Sequence, residues 1–412
     1  MNTLRYWVMW LLAASFFLAE YFARVAPSVM VPDLMNAFNV DAFQLAVLTV
    51  AFYYSYIVMQ IPVGTLLDVF GTRYLLSVGS LICGIASFCF VFSHSVLVGA
   101  ICRFAMGFSA AFAMIGAIKV ASDWMPIERI GLIAGLTQGL GMLGAAIGAG
   151  PVGLIVSYFG WTIAMKAIGI SLLIIGILIF VIVRDNPSDF KNKKVSNLPK
   201  MILIVLRDPR SWINGICAGL LYAPTAAFAE LWGPYYLNVV QGISLKSAGF
   251  AVSAMFIGWA IGGPLAGYLT DRYQNSRLLI FVSACTSFLF LTIILYGKIG
   301  SSWLLSALLF CYGFANIGVA ISYAIACSIV PKKCAASSVA FANMCSILIG
   351  AALQPIIGFL LKFQWNGATN LLGNPVYGVG ELKLTMILLP VSLLAAACLA
   401  LFLPRAGTSI NV

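Results

Sequence analysis

The sequence predicts an all-α membrane protein with 12 transmembrane helices as two six-helix repeats. Three observations carry that prediction. Of the 412 residues, 62% are apolar and only 8% are charged, whereas a soluble domain has about 45–50% apolar and about 25% charged residues. The apolar residues fall into runs of the length a bilayer requires, about 20 residues per helix. The chain also matches itself at an offset of about 205 residues. No stretch carries enough charge to cover a water-facing domain, which excludes a soluble enzyme, a coiled coil and a disordered chain together.

Taken in order, the runs cover 7–31, 43–67, 74–93, 96–120, 131–157 and 162–183, then 212–236, 248–270, 278–297, 302–330, 335–361 and 383–403. A backbone in lipid must satisfy its own hydrogen bonds, and long runs without alternation do so as helices. The first run carries Glu20 and Arg24. A cleavable signal has about 7–15 apolar residues and a small-residue site after them, so this run is read as a retained span. The domains follow: 1–183 as an N-terminal six-helix bundle, 184–211 as a cytoplasmic linker, and 212–412 as a C-terminal six-helix bundle. The linker holds R-D-N-P-S-D-F-K-N-K-K and then an apolar patch, predicted to form a short interfacial helix at about Lys200–Arg207.

The net charge of +11 comes from 23 Lys and Arg against 12 Asp and Glu. Nucleic-acid binding would need those bases on a water-facing domain, and none exists. Counted by connection, fifteen bases lie on the side of the N-terminus. Five lie on the other side: Lys166, Lys246, Lys298, Lys362 and Lys383. The positive-inside rule then places both termini in the cytoplasm. Arg24, Arg103 and Lys119 remain inside spans. Ten cysteines are scattered without C-x-x-C spacing and the chain has one histidine, His94. That pattern offers no metal site, and no cofactor is expected.

The self-match is direct. Asp68 and Asp271 are 203 apart, Met125-Pro126 and Val330-Pro331 are 205 apart, and Gln138 and Asn343 are 205 apart; Pro151 and Pro355, like Trp161 and Trp365, are 204 apart. Six helices per repeat, an even number, make the repeats parallel in the membrane. That architecture places a binding site between them near the midplane.

Four motifs bring a resemblance. The connection from Gly64 to Arg73 reads G-T-L-L-D-V-F-G-T-R, and that from Gly267 to Arg277 reads G-Y-L-T-D-R-Y-Q-N-S-R. The fourth helix carries R-F-A-M-G from Arg103 to Gly107, and the fifth carries G-A-A-I-G-A-G-P-V-G from Gly144 to Gly153. These are similar to the signature loop G-x-x-x-D-R-x-G-x-R, the R-x-x-x-G motif and the Gly-Pro antiporter motif of the major facilitator superfamily, over the whole chain. Val69 and Gln274 depart from the loop pattern. The resemblance implies gating roles for Asp68, Arg73, Arg103, Asp271, Arg272 and Arg277, with the loop acids and bases forming pairs that make and break. Packing explains the glycines of the fifth helix equally well, since small residues four apart let helices approach. Three stretches, F-A-R-V-A-P-S-V-M, K-V-A-S-D-W and E-L-W-G, resemble the proteobacterial intraphagosomal nutrient and amino-acid transporter group. That implies a bacterial inner (plasma) membrane.

Charges inside spans cost about 2.5–3.5 kcal/mol on insertion scales and usually mark a pathway. Glu20 and Arg24 share a face at i, i+4. Two readings stand: a self-neutralised structural pair, or an Arg24 that holds a carboxylate or phosphate with its planar fork. Glu230 in the seventh helix is the repeat counterpart of position 25, beside Arg24. It is a partner for a substrate ammonium, a proton carrier together with Glu20, or an acid closing an outer gate. Tyr53, Gln60, Gln138, Trp232, Tyr312, Asn316 and Asn343 complete the predicted substrate site.

The expected function is secondary active transport by alternating access, as proton-coupled uptake of an amino acid or similar small carboxylated solute, by a monomer in a lipid bilayer. An organic-anion or organic-phosphate carrier and a drug or siderophore exporter are the alternatives. No G-x-x-x-x-G-K-[ST] segment is present to bind ATP, and clustered acids for membrane enzymology are lacking.

Overall fold

The computed structural model describes residues 3–60, 62–126, 129–185, 198–273, 275–331 and 334–403. Most of the polar linker (186–197), Lys332, Lys333, Gln274 and Arg405 lie outside the described residues. Of Asp271 only the helical backbone is described.

Among the described residues, twelve helices are long and apolar enough to cross a membrane. They are span 1 (Leu4–Val29), span 2 (Ala42–Met59), span 3 (Thr72–Val91), span 4 (Val96–Trp124), span 5 (Leu132–Phe159) and span 6 (Trp161–Ile182). The second set is span 7 (Pro209–Gln241), span 8 (Leu245–Thr270), span 9 (Ser276–Tyr296), span 10 (Ser302–Ser328), span 11 (Ser337–Gln364) and span 12 (Val379–Ala400). A further helix at Leu198–Arg207 occupies the segment where a short linker helix was expected. The face holding the start of span 1 is called the near face, and its opposite the far face.

Two expected spans end before their apolar runs do. Span 1 gives way at Met30 to a separate amphipathic helix, Val31–Phe38, which ends at Asn39 in the left-handed conformation (φ 50°). Span 2 ends at Met59, capped by Gln60, and the last five residues of its expected run (63–67) fall in a separate helix, Val63–Phe70. The cause is Pro62, which has no N–H to give the Val58 carbonyl and disfavours helical geometry in the residue before it. Hydropathy alone does not register that break.

The packing repeats as the sequence does. In the first set, span 1 packs on span 5, span 2 on span 4 and span 3 on span 6. In the second, span 7 packs on span 11, span 8 on span 10 and span 9 on span 12. Across the two sets, span 2 meets span 11 and span 5 meets span 8, which is the exchange a twofold repeat requires. One glycine pair shows the match at atomic scale. A Cβ on Gly107 would lie 1.9 Å from the Phe52 carbonyl oxygen, and a Cβ on Gly313 would lie 2.0 Å from that of Met255. The glycine of R-F-A-M-G is therefore fixed by helix contact.

Candidate functional site

Span 1 is α-helical to Val25 and tightens to a 3-10 turn over Ala26–Val29. The cause is covalent. Pro27 has no N–H, so the Ala23 carbonyl four residues earlier loses its helical partner. A buried carbonyl left alone is costly, and Arg103 of span 4 supplies the donor. Its guanidinium bonds the Ala23 oxygen and reaches the Arg24 oxygen at 3.5 Å, with the side chain 1% exposed.

One face of the same helix carries the predicted charge pair. Arg24 Nη2 donates to Glu20 Oε1 at 3.0 Å, and both side chains are buried. The Arg24 guanidinium lies over the rings of Tyr21 (4.4 Å), Tyr56 (4.6 Å) and Phe52 (5.3 Å). The Phe52 ring is also 4.9 Å from the Arg103 guanidinium, so an aromatic face stands against each of two buried cations, a stabilising arrangement. Among the described residues, Glu20 Oε2 and Arg24 Nε have no hydrogen-bond partner.

Span 7 is the second irregular helix. It is α-helical from Pro209 to Pro224, π-helical over Thr225–Trp232, and α-helical again from Gly233 to Gln241. A π stretch shifts the carbonyl partners by one residue and occurs often at functional sites. Neighbouring spans supply donors to its backbone: Asn316 Nδ2 bonds the Leu221 oxygen at 3.0 Å, and Gln354 Nε2 bonds the Ala226 oxygen at 2.9 Å. Within the stretch, the Glu230 carboxylate accepts from Tyr222 at 2.7 Å and from Tyr53 of span 2. Glu230 thereby ties the seventh span to the first set of six.

A cavity of about 500 Å³ lies between the two sets. Of the predicted site residues, Arg24, Gln60, Gln138 and Asn343 line it, with Tyr56, Tyr222 and Tyr323 beside them. Glu20, Tyr53, Glu230, Trp232, Tyr312 and Asn316 are buried and lie off the wall. Trp232 donates to the Gln354 oxygen at 3.3 Å and Tyr312 accepts from Asn316 at 3.2 Å; these three hold the shape of span 7. Tyr21 and Trp259 line the cavity and were not anticipated. Tyr21 stands three residues before Arg24, a spacing that shares a helix face. Trp259 has no such flag in the sequence.

The cavity reaches Gln60, Ile118 and Ala340, near the ends of their helices, and so runs toward the near face. The far face is bonded shut. Lys362 pairs with Asp41 at 2.8 Å, the Ala42 N–H donates to Tyr377 Oη at 3.1 Å, and Asn370 and Asn374 both donate to Asn36 Oδ1 at 2.9 Å. A Cβ on Gly358 would lie 2.6 Å from the Ala42 oxygen, so spans 2 and 11 touch by backbone there. Gly144 of the fifth helix serves a similar contact, since a Cβ there would meet the Leu18 oxygen at 2.3 Å, whereas one on Gly135 or Gly139 would meet nothing within 4 Å.

The near-face loop is wired differently from the expected Asp68–Arg73 pairing. Asp68 pairs with Lys119 of span 4 at 2.9 Å, and Lys119 is 3.7 Å from Asp123. Arg73 instead clasps the end of span 6: its Nε bonds the Phe180 oxygen at 2.7 Å and its backbone N–H bonds Asp185 at 2.8 Å. The reason is reach, because Arg73 lies in the first turn of span 3, which packs on span 6. In the repeat, Arg272 bonds Tyr268 at 3.3 Å and Arg277 is half-buried. Among the described residues, no three His, Cys, Asp or Glu side chains gather as metal ligands would.

The family model described as Major Facilitator Superfamily matches residues 10–355. The chain is 25% identical to the protein named uncharacterized transporter YybO of Bacillus subtilis (strain 168), over 92% of this chain and 94% of that one. It is 27% identical to the probable sulfoacetate transporter SauU of Cupriavidus necator, over 70% and 71%. Among solved structures, a bacterial homolog to the human lysosomal transporter Spinster superposes with a TM-score of 0.81 over 98% of each chain, at 16% identity. That likeness concerns the fold.

Proposed function

Because the chain belongs to the Major Facilitator Superfamily and is a membrane transporter rather than an enzyme, we propose that it carries a small organic anion by alternating access, with Arg24 as the anion anchor. One observation carries this reading. Among the described residues of the cavity wall, Arg24 is the one charged side chain, and its planar fork suits carboxylate, sulfonate or phosphate. Glu230, which the ammonium of a zwitterion would need, is held behind Tyr53 and Tyr222. The relative named for sulfoacetate points to the same chemistry.

Glu20 and an arriving anion compete for one guanidinium. A proton on Glu20 releases Arg24, so proton entry and anion binding go together. Glu230 is the second proton site, where protonation weakens the charge-assisted bond to Tyr53 and loosens the tie between the halves. Gln60, Gln138 and Asn343 contact the body of the solute. Trp232, Tyr312 and Asn316 act through the shape of span 7. The bundles 1–183 and 212–412 rock as units over the linker 184–211, in a monomer that contains the whole site. Asp68, Arg73, Arg103, Asp271, Arg272 and Arg277 control the near-face gate. The excess of bases on the near face supports a cytoplasmic assignment for it and for both termini, in a bacterial plasma membrane, with proton-driven uptake as the direction.

A second reading, proton-coupled uptake of an amino acid, is favoured by the Tyr222–Glu230 bond. Tyr222 is on the wall, so one rotamer change would present Glu230 to an ammonium; the three stretches similar to intraphagosomal amino-acid transporters agree with it. Proteoliposome uptake with an inward proton gradient decides between the two. The expected result is uptake of anions that lack an amine, lowered about 100-fold in Arg24→Gln, as loss of a bond worth about 3 kcal/mol implies. Uptake confined to amine-bearing solutes and lost in Glu230→Gln would replace the anion reading with the amino-acid one. Anion binding without flux would remove transport of these anions altogether.

A further inference from the structure

Resting on the anion reading, the cavity wall also specifies the body of the solute: we infer that it is an aromatic monoanion, its ring held between Tyr21 and Tyr56 of the first half and Tyr222 and Trp259 of the second. Three features lead there. The first is charge. A second anionic group would find no cation on the described wall, since Arg103 is spent on the Ala23 and Arg24 carbonyls and lies against Phe52. An unpaired carboxylate in such surroundings is strongly disfavoured.

The second is polarity. Three of the wall hydroxyls are already committed as donors. Tyr222 donates to Glu230, Tyr323 to Asn343 Oδ1 at 3.0 Å, and Ser346 to the Ala342 oxygen at 2.8 Å. The amides of Gln60 and Gln138, the Asn343 nitrogen, the Tyr21 and Tyr56 hydroxyls and the buried Trp259 N–H remain to serve a solute, and the last three sit on the edges of aromatic rings. The third is the aromatic set itself. Tyr21 and Tyr56 already lie against the Arg24 guanidinium, so a carboxylate bound in its plane carries its body past the edges of both rings. Across the cavity, Tyr222 and Trp259 meet edge to face at 6.4 Å and 85°. Aromatic rings prefer offset or edge contacts of this kind. Because the rings come from both halves, a flat solute between them ties occupancy to closure.

Calorimetric titration of the purified full-length protein tests this with phenylacetate, cyclohexylacetate, butyrate, glucarate and phenylacetamide. Phenylacetate is expected to bind at least tenfold more tightly than butyrate or glucarate, and several-fold more tightly than cyclohexylacetate; phenylacetamide, without the charge, is expected to bind at least tenfold more weakly. Trp259→Leu is expected to cut the preference for phenylacetate over butyrate severalfold while butyrate binding, which reports a folded cavity, persists. Butyrate, glucarate or cyclohexylacetate binding as well as phenylacetate would overturn the aromatic body and leave the anion reading standing. An unchanged preference in Trp259→Leu would overturn the ring wall. Phenylacetamide binding as well as phenylacetate would overturn the anion reading, and this inference with it.

Discussion

Arg103 shows how one side chain is fixed by a covalent fact elsewhere in the chain. The sequence places it in R-F-A-M-G, where the resemblance implies a gating role. The structure gives it the Ala23 carbonyl that Pro27 orphans. Neither residue announces the other, because they are far apart in sequence and meet only when spans 1 and 4 pack. Replacing Arg103 by Met leaves a buried carbonyl unpaired, with an expected loss of about 1–3 kcal/mol, read as a lower thermal midpoint in detergent. Pro27→Ala returns an N–H to position 27 and should recover part of that loss in the double variant. Additive losses would mean that Arg103 acts elsewhere. The Glu20–Arg24 pair, by contrast, was legible at i, i+4. Its aromatic surroundings were legible only in part, through Tyr21 on the same face. Phe52 and Tyr56 come from span 2, and one helix's periodicity cannot reveal a neighbour's side chains.

At the scale of elements, the twelve spans were readable because bilayer thickness sets their length, and the ends differ from expectation where proline rather than hydropathy decides. The π stretch of span 7 was not readable. It is flanked by Pro224 and Pro234, but Gln354 of span 11 also donates to the Ala226 oxygen within it, and Asn316 of span 10 to the Leu221 oxygen one turn before it. Gln354→Leu is expected to lower stability by about 1 kcal/mol and to slow transport further, since Glu230 sits in the same stretch. Transport at the wild-type rate in a folded Gln354→Leu protein would separate the π stretch from function. The start of span 7 is set by a local device. Asp208 caps the helix by accepting the Arg210 N–H at 2.9 Å, and the Arg210 guanidinium forks onto its carboxylate at 3.0 and 2.7 Å. These bonds from Arg210 hold the Asp208 carboxyl below the usual carboxylate range. A depressed folded-state value gives stability that is full above the unfolded carboxylate pKa of about 3.9. That stability is lost as pH falls through the folded value. Asp208→Asn, which keeps a capping oxygen but removes the charge that pairs with Arg210, should therefore cost about 0.5 kcal/mol at pH 7 and nothing in strong acid, as thermal midpoints across pH would report.

For the whole molecule, the repeat and the position of the cavity between its halves were legible from offsets near 205, because duplicated packing constrains duplicated residues. The state of the molecule was not legible, since the contacts that close the far face join residues with no periodic relation. Asn36 lies in the helix after span 1 and its partners Asn370 and Asn374 lie in the connection before span 12, where Thr369 and Pro375 form a lone β-bridge. Lys362–Asp41 and Tyr377–Ala42 flank that junction. The described near-face bonds lie within one half each: Asp68–Lys119, Arg73–Asp185, and Arg210 to the Ile329 oxygen at 3.3 Å. The molecule is therefore latched on the far face, and transport by alternating access requires that latch to open once per cycle. Paired cysteines at Asn36 and Asn370 make the requirement measurable. Oxidation should form a cross-link and bring flux to background, and reduction should restore it. In the cross-linked state a third cysteine at Ala340, on the cavity wall near the near-face end of span 11, should still be labelled from that face. Full flux with the cross-link formed would show that solute passes without separating these loops, and loss of labelling at Ala340 would show that the latch does not leave the near face open.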